Sequence, residues 1–369
     1  MKVLLLTTHL NTGGVAMYTA NLARYLKKEG VDVQVASSGG EVLPRLEDPS
    51  IEHNTLDIRT KNEFGIKVWK AAPSLARIIS SGGFDIVHTQ TRVTHVLACL
   101  VRHLRETNHV TTCHGFYNSR RIGRRIFPCW GDRVIAISKS VRQHLLEDFN
   151  IDRDKIEMVY NGIELDKYLR TDPGNAKSVL KDRIGLSKDA FVVGSVARLS
   201  PVKGQGYLIE AFAKAQAKRP GMRLLLVGEG PDEKMLREKA RREGLKDKVL
   251  FASGRQMSLE EYLSVMDVFC LASISEGLGL SLMEAMASGR ACIASDVGGL
   301  SELIQTGKNG LLVPSRDVDA LSEAVTTLAL DERQRLSLSR NARKKALEEF
   351  GIEKSVRKTI EVYRSVLER

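Results

Sequence analysis

The chain has 369 residues, 43% hydrophobic and 27% charged, which is typical of a globular protein with two domains and excludes disorder, collagen and a disulfide scaffold. No apolar run approaches the roughly 20 residues that cross a bilayer. Lysine and arginine outnumber aspartate and glutamate by 56 to 45, and the net charge of +11 favours anionic partners. Because no nucleic-acid-binding motif is visible, a phosphate-bearing substrate or an anionic lipid surface fits this charge better than nucleic acid does.

Short apolar runs alternate with helical patterns along the first half of the chain. The first run, residues 3–6, is followed by a polar loop and then by apolar residues at helical spacing up to Gly30. Further strand-like runs occur at residues 31–36, 84–89, 110–113 and 134–137. This alternation predicts a parallel sheet covered by helices, a Rossmann-like domain, over residues 1–165.

A polar, highly charged stretch at residues 166–189 interrupts this pattern and is interpreted as a linker with a short helix. Strand-like runs then resume at residues 191–196, 223–227, 249–252, 268–272, 291–294 and 310–313. They predict a second Rossmann-like domain over residues 166–350, so the fold class is α/β with two such domains. The last segment, residues 351–369, predicts an amphipathic helix, with apolar side chains at Val356, Ile360, Tyr363 and Leu367.

Gly13 and Gly14 lie between the first strand and the first helix. Glycine there lets a ligand approach the backbone, and the helix N-terminus offers free N–H groups to an anion or a polyol. A tight turn without a ligand explains the pair equally well. The dinucleotide fingerprint G-x-G-x-x-G is absent from this loop, so NAD chemistry is disfavoured.

Arg198 and Lys203 lie in the loop after the first strand of the second domain. Two cations at the carboxyl end of a parallel strand can converge on a diphosphate and stabilise a negative leaving group. A lone pair of cations is more often solvated surface charge, but the position at a strand end favours a function.

Residues 275–289 are the most informative segment, a strand end followed by a glycine-bearing loop and a helix. Glu276 lies in the loop and Glu284 in the helix, and carboxylates suit the hydroxyls of a sugar or a ribose. Glu284 could simply face solvent, but its neighbours are apolar on nearly every side, and a buried carboxylate needs partners. The backbone that leads into the helix N-terminus can bind a phosphate through free N–H groups, and it belongs to Gly277, Leu278, Gly279 and Leu280.

His114 follows the end of a predicted strand, where a functional role competes with the more common structural role of a lone histidine. His109, Cys113 and His114 cannot easily converge on zinc, because alternate residues of a strand point to opposite faces. Two D-x-D patterns, at residues 152–154 and 317–319, are interpreted as caps of helix N-termini rather than as ligands of a divalent metal. No metal is expected.

Together, the spacing of Glu276 and Glu284, the pair of Arg198 and Lys203, the glycines at residues 13–14 and the turn at residues 161–163 resemble the family four (group 1) glycosyltransferases of the GT-B fold. The resemblance covers essentially the whole chain, although Leu278 stands where the family often has an aromatic residue. It implies two facing Rossmann-like domains with a cleft between them and a C-terminal helix that crosses back to the N-terminal domain. The N-terminal domain would hold the acceptor, and the C-terminal domain a nucleotide-sugar donor as co-substrate, with no other cofactor.

The resemblance also implies transfer with retention of the anomeric configuration and a role for single residues. Arg198 and Lys203 would bind the donor diphosphate, Glu276 the hydroxyls of the donor sugar, and Glu284 the ribose. Gly14 would lie near the diphosphate, and His114 near the anomeric carbon. The catalytic set is then His114, Arg198, Lys203 and Glu276. The loop of Gly254 and Arg255 is expected to contribute to recognition of the base.

Between residues 102 and 133 there are seven arginines and two acids, with aromatic and aliphatic residues among them. This mixture is typical of a segment that lies on an anionic membrane surface or binds a phosphorylated glycolipid. A solvated basic helix with a core-facing apolar side is the plainer alternative. The residues expected to form the acceptor or membrane surface are Tyr117, Arg120, Arg121, Arg124 and Arg125.

The leading interpretation is a retaining, metal-independent hexosyltransferase that acts on a glycan or lipid-linked acceptor, in the synthesis of lipopolysaccharide, capsule or another envelope glycan. The alternatives are a nucleotide-sugar epimerase of the same fold and a non-catalytic carbohydrate-binding relative. The start of the chain lacks a signal-peptide pattern, and five cysteines without a C-x-x-C pair suit a reducing compartment. A cytoplasmic protein, peripheral on the inner face of the membrane, is therefore expected.

Overall fold

The computed structural model describes residues 1–46, 48–102, 107–119, 123–124, 127–169, 174–254 and 256–368. The chain forms two compact units, one of Met1–Gly162 with Ile352–Arg369 and one of Ile163–Gly351. Each unit contains a parallel sheet with helices, which confirms the predicted α/β class with two Rossmann-like units. Among the described residues, no helix has both the length and the apolar composition that a membrane span requires.

The sheet of the first unit has seven parallel strands in the order β3-β2-β1-β4-β5-β6-β7. The chain reverses its direction of progress across the sheet between β1 and β4, so this point is the topological switch point of the unit. The three-residue edge strands β3 and β7 were not predicted, because a run of that length carries no recognisable period. The strands are β1 (Lys2–Leu6), β2 (Asp32–Ser37), β3 (His53–Thr55), β4 (Ile86–Thr89), β5 (Asn108–Cys113), β6 (Arg133–Ala136) and β7 (Ile156–Met158).

Four helices of at least ten residues connect these strands within the described part of the unit, and their apolar faces form its core. They are α1 (Gly14–Lys28), α2 (Ile66–Gly82), α3 (Arg92–Arg102) and α4 (Lys139–Phe149). Val68 and Leu75 of α2 pack with Val96 of α3 in one buried cluster. The first turn of α4 is capped by Ser138, whose hydroxyl oxygen accepts a hydrogen bond from the backbone N–H of Val141 at 3.1 Å.

The sheet of the second unit has six parallel strands in the order β10-β9-β8-β11-β12-β13, and all six coincide with predicted runs. Its switch point lies between β8 and β11, which pair in register at Val268 and Val193. Gly194 of β8 leaves room for Met266, since a Cβ atom there would lie 2.2 Å from the methionine sulfur. The strands are β8 (Val192–Val196), β9 (Arg223–Val227), β10 (Val249–Ala252), β11 (Val268–Leu271), β12 (Ala291–Ser295) and β13 (Leu311–Val313).

The second unit also contains nine helices within the described residues, two of them in the polar stretch that was interpreted as a linker. They are α5 (Asp166–Leu169), α6 (Gly174–Arg183), α7 (Gln205–Lys218), α8 (Glu233–Arg242), α9 (Leu259–Val265), α10 (Leu280–Ala287), α11 (Leu300–Leu303), α12 (Val318–Leu330) and α13 (Glu332–Glu349).

The two D-x-D patterns have different structures. Asp317 caps α12 by accepting a hydrogen bond from the backbone N–H of Ala320 at 2.9 Å, as predicted. Asp152 precedes a short 3-10 turn and makes no capping hydrogen bond with its side chain, so the prediction of a cap is wrong at that position. Its carboxylate instead forms an ion pair with Lys155 at 3.4 Å.

The last helix, α14 (Ile352–Leu367), packs on the first unit. Its predicted apolar face is buried at Val356, Ile360 and Tyr363, whereas Leu367 is 41% exposed. The hydroxyl of Tyr363 lies 2.6 Å from Nδ1 of His88 on β4. Nε2 of His88 lies 2.7 Å from the hydroxyl of Thr112 on β5. The buried imidazole therefore connects the last helix to two neighbouring strands.

We expect Tyr363→Phe to lower the free energy of unfolding by about 1–3 kcal/mol, because it leaves Nδ1 of His88 buried without a partner. Equilibrium unfolding in urea measures this change. Tyr207→Phe is the control, since the Tyr207 hydroxyl makes no hydrogen bond with a described residue. Equal stability of the two variants would contradict the structural role of the contact.

Candidate active site

Two loops of the second unit meet at its switch point. One follows β8 and carries Arg198 and Lys203, and the other follows β11 and carries Glu276. Because β8 and β11 are parallel neighbours, their carboxyl ends lie side by side. Ligands of open α/β sheets bind at this position.

The two loops are joined by an ion pair between Lys203 and Glu276. The lysine Nζ donates to Oε2 of Glu276, and the side chains are 23% and 15% exposed. The hydroxyl of Ser273 donates to the same carboxylate oxygen at 3.1 Å. The structure thus brings together two residues that the sequence singled out in separate motifs, in a partly desolvated site where charge interactions are stronger than in water.

The backbone holds the loops in direct contact. The N–H of Ile274 donates to the carbonyl of Val202 at 2.7 Å. Gly204 has φ +65°, and a Cβ atom there would lie 1.9 Å from the carbonyl oxygen of Ala272. A side chain at residue 204 would therefore force the loops apart and separate Lys203 from Glu276.

Arg198 lies in the same loop with an exposed side chain. Within the described residues, its guanidinium makes no hydrogen bond or ion pair. Its backbone carbonyl is fixed by the side-chain amide of Gln205 on α7, which donates to it at 2.9 Å. The loop thus offers one cation that is paired with a carboxylate and one that is available to an anion.

The loop after β11 leads into α10 through residues 277–279. Gly279 is the N-cap residue of α10, with φ 97°, and no side chain accepts a hydrogen bond from the first N–H groups of the helix there. The N-terminal N–H groups of α10 can therefore serve a bound anion. Leu278 is 2% exposed, so the residue that departs from the family pattern is a packing residue. The loop is held close to Gly299, whose N–H donates to the carbonyl of Glu276 at 3.1 Å.

Glu284 lies on α10 and is partly buried. Burial raises its pKa to about 8, and the nearby carboxylates of Glu260 and Glu164 add to the rise. A hydrogen bond with the hydroxyl of Tyr168, on α5, opposes it. Tyr168 was not predicted as a site residue, because it lies in the polar stretch that looked like a linker.

The predicted base-recognition loop follows β10, which is separated from β8 by β9. Gly254 is exposed in a turn, and a Cβ atom there would meet no other atom. Arg255 lies outside the described residues. The role of this loop in recognition of the base therefore stays a prediction.

In the first unit, the predicted glycines lie at the start of α1. Gly13 is exposed with extended backbone, and its carbonyl accepts the N–H of Met17 at 3.0 Å. Gly14 is the first residue of the helix and is also exposed. The loop after β1 and the start of α1 lie at the switch point of this sheet, between β1 and β4.

His114 follows β5, two strands from β1 in the same sheet. Its Nε2 lies 2.9 Å from Oε1 of Gln90, and its Nδ1 lies 3.4 Å from Nδ2 of Asn161. The ring of Tyr18 packs edge-on at 5.5 Å. Burial lowers the pKa of His114 to about 3, so the imidazole is neutral near pH 7. Gln90 and Tyr18 were not predicted, since no local motif marks them.

The exposed position expected for Arg124 is not observed. Its guanidinium forms a two-pronged ion pair with Glu63, with Nη2 donating to Oε2 at 2.8 Å, and the residue is 8% exposed. Nη1 donates to the carbonyl of Asn118 at 3.1 Å. Arg124 is therefore a structural ion-pair residue and does not face a membrane.

Glu63 lies just before α2, outside the basic segment of residues 102–133, and no local pattern links it to Arg124. Tyr117 is partly buried, and its backbone N–H donates to Nε2 of His144 at 2.9 Å. Burial raises the pKa of the Tyr117 hydroxyl above its usual value. The other three predicted surface residues, Arg120, Arg121 and Arg125, lie outside the described residues.

Two family models match the chain. The one described as Glycosyl transferases group 1 matches residues 177–345, and the one described as Glycosyltransferase Family 4 matches residues 12–167. Together they span most of the sequence.

The chain is similar over nearly its full length to proteins that are named as enzymes. It is 27% identical to the N-acetyl-alpha-D-glucosaminyl L-malate synthase of Bacillus anthracis, over 98% of this chain and 96% of that protein. It is also 27% identical to the UDP-Gal:alpha-D-GlcNAc-diphosphoundecaprenol alpha-1,3-galactosyltransferase of Escherichia coli, over 95% and 93% of the two chains. The fold matches the crystal structure of Anabaena Alr3699/HepE in complex with UDP and glucose, with a TM-score of 0.86, 22% identity and coverage of 99% and 100%.

We expect Glu284→Gln to become more stable relative to the wild type as the pH rises. The folded chain keeps the Glu284 proton up to about pH 8, whereas an unfolded glutamate loses it near pH 4.5. Wild-type stability from this group is therefore full below pH 4.5 and is lost as the pH rises toward 8, but glutamine does not ionise. Thermal unfolding between pH 4 and 9 measures the difference.

The control for this series is Glu348→Gln, which removes an exposed carboxylate on α13. A stability difference between Glu284→Gln and the wild type that stays constant from pH 4 to 9 would show that folding does not raise the pKa of Glu284.

Proposed function

The chain belongs to the group 1, family four glycosyltransferases, and we propose on that premise that it transfers a hexose from a nucleotide-sugar donor to a glycan or lipid-linked acceptor. The transfer retains the anomeric configuration and needs no metal ion. The observation that carries the proposal is the contact of Lys203 with Glu276 at the switch point of the second unit, with the available guanidinium of Arg198 in the same loop.

The second unit binds the donor. A diphosphate at the carboxyl ends of β8 and β11 replaces Glu276 as the ion-pair partner of Lys203. It also binds Arg198 as a second cation. These charges, with the N-terminal N–H groups of α10, stabilise the negative charge on the departing diphosphate in place of a metal. Glu276 then accepts hydrogen bonds from hydroxyls of the donor sugar, and Glu284 from the ribose.

Two comparisons support a nucleoside diphosphate as the leaving group. The name of the Escherichia coli relative specifies UDP-galactose as donor and a diphosphoundecaprenol-linked sugar as acceptor. The Anabaena structure of the same fold contains UDP and glucose. We extend the lipid-linked class of acceptor to this chain and place its activity in the synthesis of an envelope glycan such as lipopolysaccharide or capsule, with the first unit as the acceptor-binding unit.

A lipid-linked acceptor requires a membrane-facing surface, and α2 provides a better candidate than Arg124. Ile66 and Trp69 are 70% and 58% exposed. They share one face of α2 with Lys70 and Arg77, which are also exposed, and α2 contains no acidic residue. Phe127, also exposed, lies close to this helix, with its ring 6.3 Å from that of Phe64. Exposed apolar side chains beside cations favour contact with an anionic bilayer.

The reaction itself is tested by NMR. The purified chain is incubated in EDTA with α-linked nucleotide-sugars and a short-chain diphospholipid-linked N-acetylglucosamine acceptor. We expect product only with the acceptor present, and an α-linkage in its anomeric signal. A β-linked product, a strict requirement for magnesium or manganese, or conversion of the donor sugar without acceptor would each overturn the proposal, the last in favour of an epimerase.

Lys203→Ala should weaken donor binding at least tenfold, because the loss of one charged hydrogen bond costs about 1.5–3 kcal/mol. Isothermal calorimetry with UDP and GDP measures the change. Lys214→Ala is the matched control, since it removes a lysine that is also ion-paired, with Asp319, but on the exposed surface of α7. Equal nucleotide affinity in the two variants would remove Lys203 from the donor site.

Fluorescence of Trp69 reports on the membrane surface. The chain has two tryptophans, and the other, Trp130, is 6% exposed, so a blue shift on addition of phosphatidylglycerol vesicles must come mainly from Trp69. Replacing Lys70 and Arg77 by glutamine should cost about 1 kcal/mol for each charge, roughly a 30-fold loss of vesicle binding at low salt.

The matched control replaces Arg241 and Arg242 by glutamine. Both are exposed cations in the last turn of α8. If the wild type shows no spectral shift and does not sediment with the vesicles, α2 is not a membrane surface.

A further inference from the structure

His114 lies between two buried side-chain amides of the first unit. Gln90 follows β4 and is 1% exposed, and Asn161 follows β7 and is 4% exposed. The carbonyl oxygen of the Gln90 side chain lies 2.9 Å from Nε2 of His114. The amide nitrogen of Asn161 lies 3.4 Å from Nδ1.

The two contacts select the same tautomer. An amide oxygen can only accept a hydrogen bond, so Nε2 of His114 must carry the proton. An amide nitrogen can only donate, so Nδ1 must present its lone pair. The first contact has the usual hydrogen-bond length, whereas the second is long and weak. A hydroxyl group of a substrate can therefore replace Asn161 at Nδ1 at little cost.

Neither amide is held by other hydrogen bonds of its side chain. Nε2 of Gln90 and Oδ1 of Asn161 are buried without a partner among the residues that the structure describes. Such atoms are costly and rare in folded proteins. The backbone of Gln90 is fixed instead, because its N–H donates to the carbonyl of Leu6 on β1 at 2.9 Å. The backbone of Gln90 is thus fixed at the switch point between β1 and β4, and its side chain is left to contact His114.

Within the described part of the chain, the titratable groups close to His114 carry no charge near pH 7. The titratable side chains near it are Tyr18 on α1, His88 on β4, His95 on α3 and Cys113 on β5. Burial lowers the pKa of both histidines and raises the pKa of Tyr18 and of Cys113, the latter to about 12. All four are therefore neutral near pH 7.

We propose that Gln90 is a positioning residue that fixes His114 as the neutral Nε2–H tautomer, so that Nδ1 accepts a hydrogen bond from a hydroxyl of the substrate while Asn161 occupies that place in the free enzyme. The proposal rests on the proposed function, since it assigns His114 to the sugar-transfer site. The hydroxyl belongs to the donor sugar or to the acceptor, and a change in the KM of one or the other distinguishes them.

The tautomer is measured without reference to activity. Long-range ¹H–¹⁵N correlation spectra of the labelled full chain separate the two imidazole nitrogens, and His114→Asn identifies the signals of His114. We expect the proton on Nε2 from pH 6 to 8 in the wild type and a mixture of tautomers in Gln90→Met. Gln143→Met, an exposed glutamine of α4, is the matched control and should leave the spectrum unchanged. A proton on Nδ1 in the wild type, or an unchanged spectrum in Gln90→Met, would overturn the proposal.

Gln90→Glu separates positioning from a general structural role. The carboxylate still accepts from Nε2 but favours the imidazolium, so it raises the pKa of His114. At low pH the imidazolium carries a proton on Nδ1 and cannot accept from the substrate. Activity of this variant should therefore be lost at low pH and return as the pH rises, with an inflection absent from the wild type. Gln90→Met should lose about tenfold in kcat/KM at every pH.

The two readouts distinguish the possible failures. If the chain transfers sugar but Gln90→Glu has the wild-type pH profile, the positioning role is wrong and the proposed function stands. If no sugar transfer is found, the NMR result still decides whether Gln90 sets the tautomer. A thermal-unfolding transition near that of the wild type in Gln90→Glu excludes misfolding as the cause of a lost activity.

Discussion

The contact between Lys203 and Glu276 is the constraint on which the second unit's site depends. Two opposite charges from different loops meet only because β8 and β11 are parallel neighbours and because Gly204 lets one loop approach the other at Ala272. In the free chain each charge satisfies the other, which lowers the cost of keeping a cation partly desolvated. In the proposed function a diphosphate replaces the carboxylate as the partner of Lys203.

The two units present different kinds of groups. The loops of the second unit present cations and helix N–H groups, which suit the charge that develops on a leaving diphosphate. The first unit presents a neutral imidazole between two amides, which suits hydroxyl groups and carries no charge of its own. Glu284 adds a carboxyl group whose pKa burial raises to about 8, so it is mostly protonated at neutral pH.

Regular features were predictable from the sequence, and contacts between distant residues were not. Eleven of the thirteen strands in the described structure overlap strand-like runs of the sequence, whereas the three-residue edges β3 and β7 carry no such signal. The sequence singles out Lys203 and Glu276 because each follows the end of a strand, but their contact with each other is visible only in the structure. Arg124 was misjudged because Glu63, its partner, is 61 residues away. No local pattern could reveal Gln90 or Tyr168, whose importance comes from their partners in the folded chain.

The proposed competition between the carboxylate and a diphosphate for Lys203 can be measured directly. Glu276→Gln is titrated calorimetrically with UDP and UDP-glucose, and with GDP and GDP-mannose, beside the wild type. Because the competing charge is gone, the nucleoside diphosphate should bind the variant at least as tightly as it binds the wild type, while the added affinity from the sugar is lost. A variant that loses affinity for the diphosphate and for the nucleotide-sugar by the same factor would contradict the assignment of Lys203 to phosphate and Glu276 to sugar.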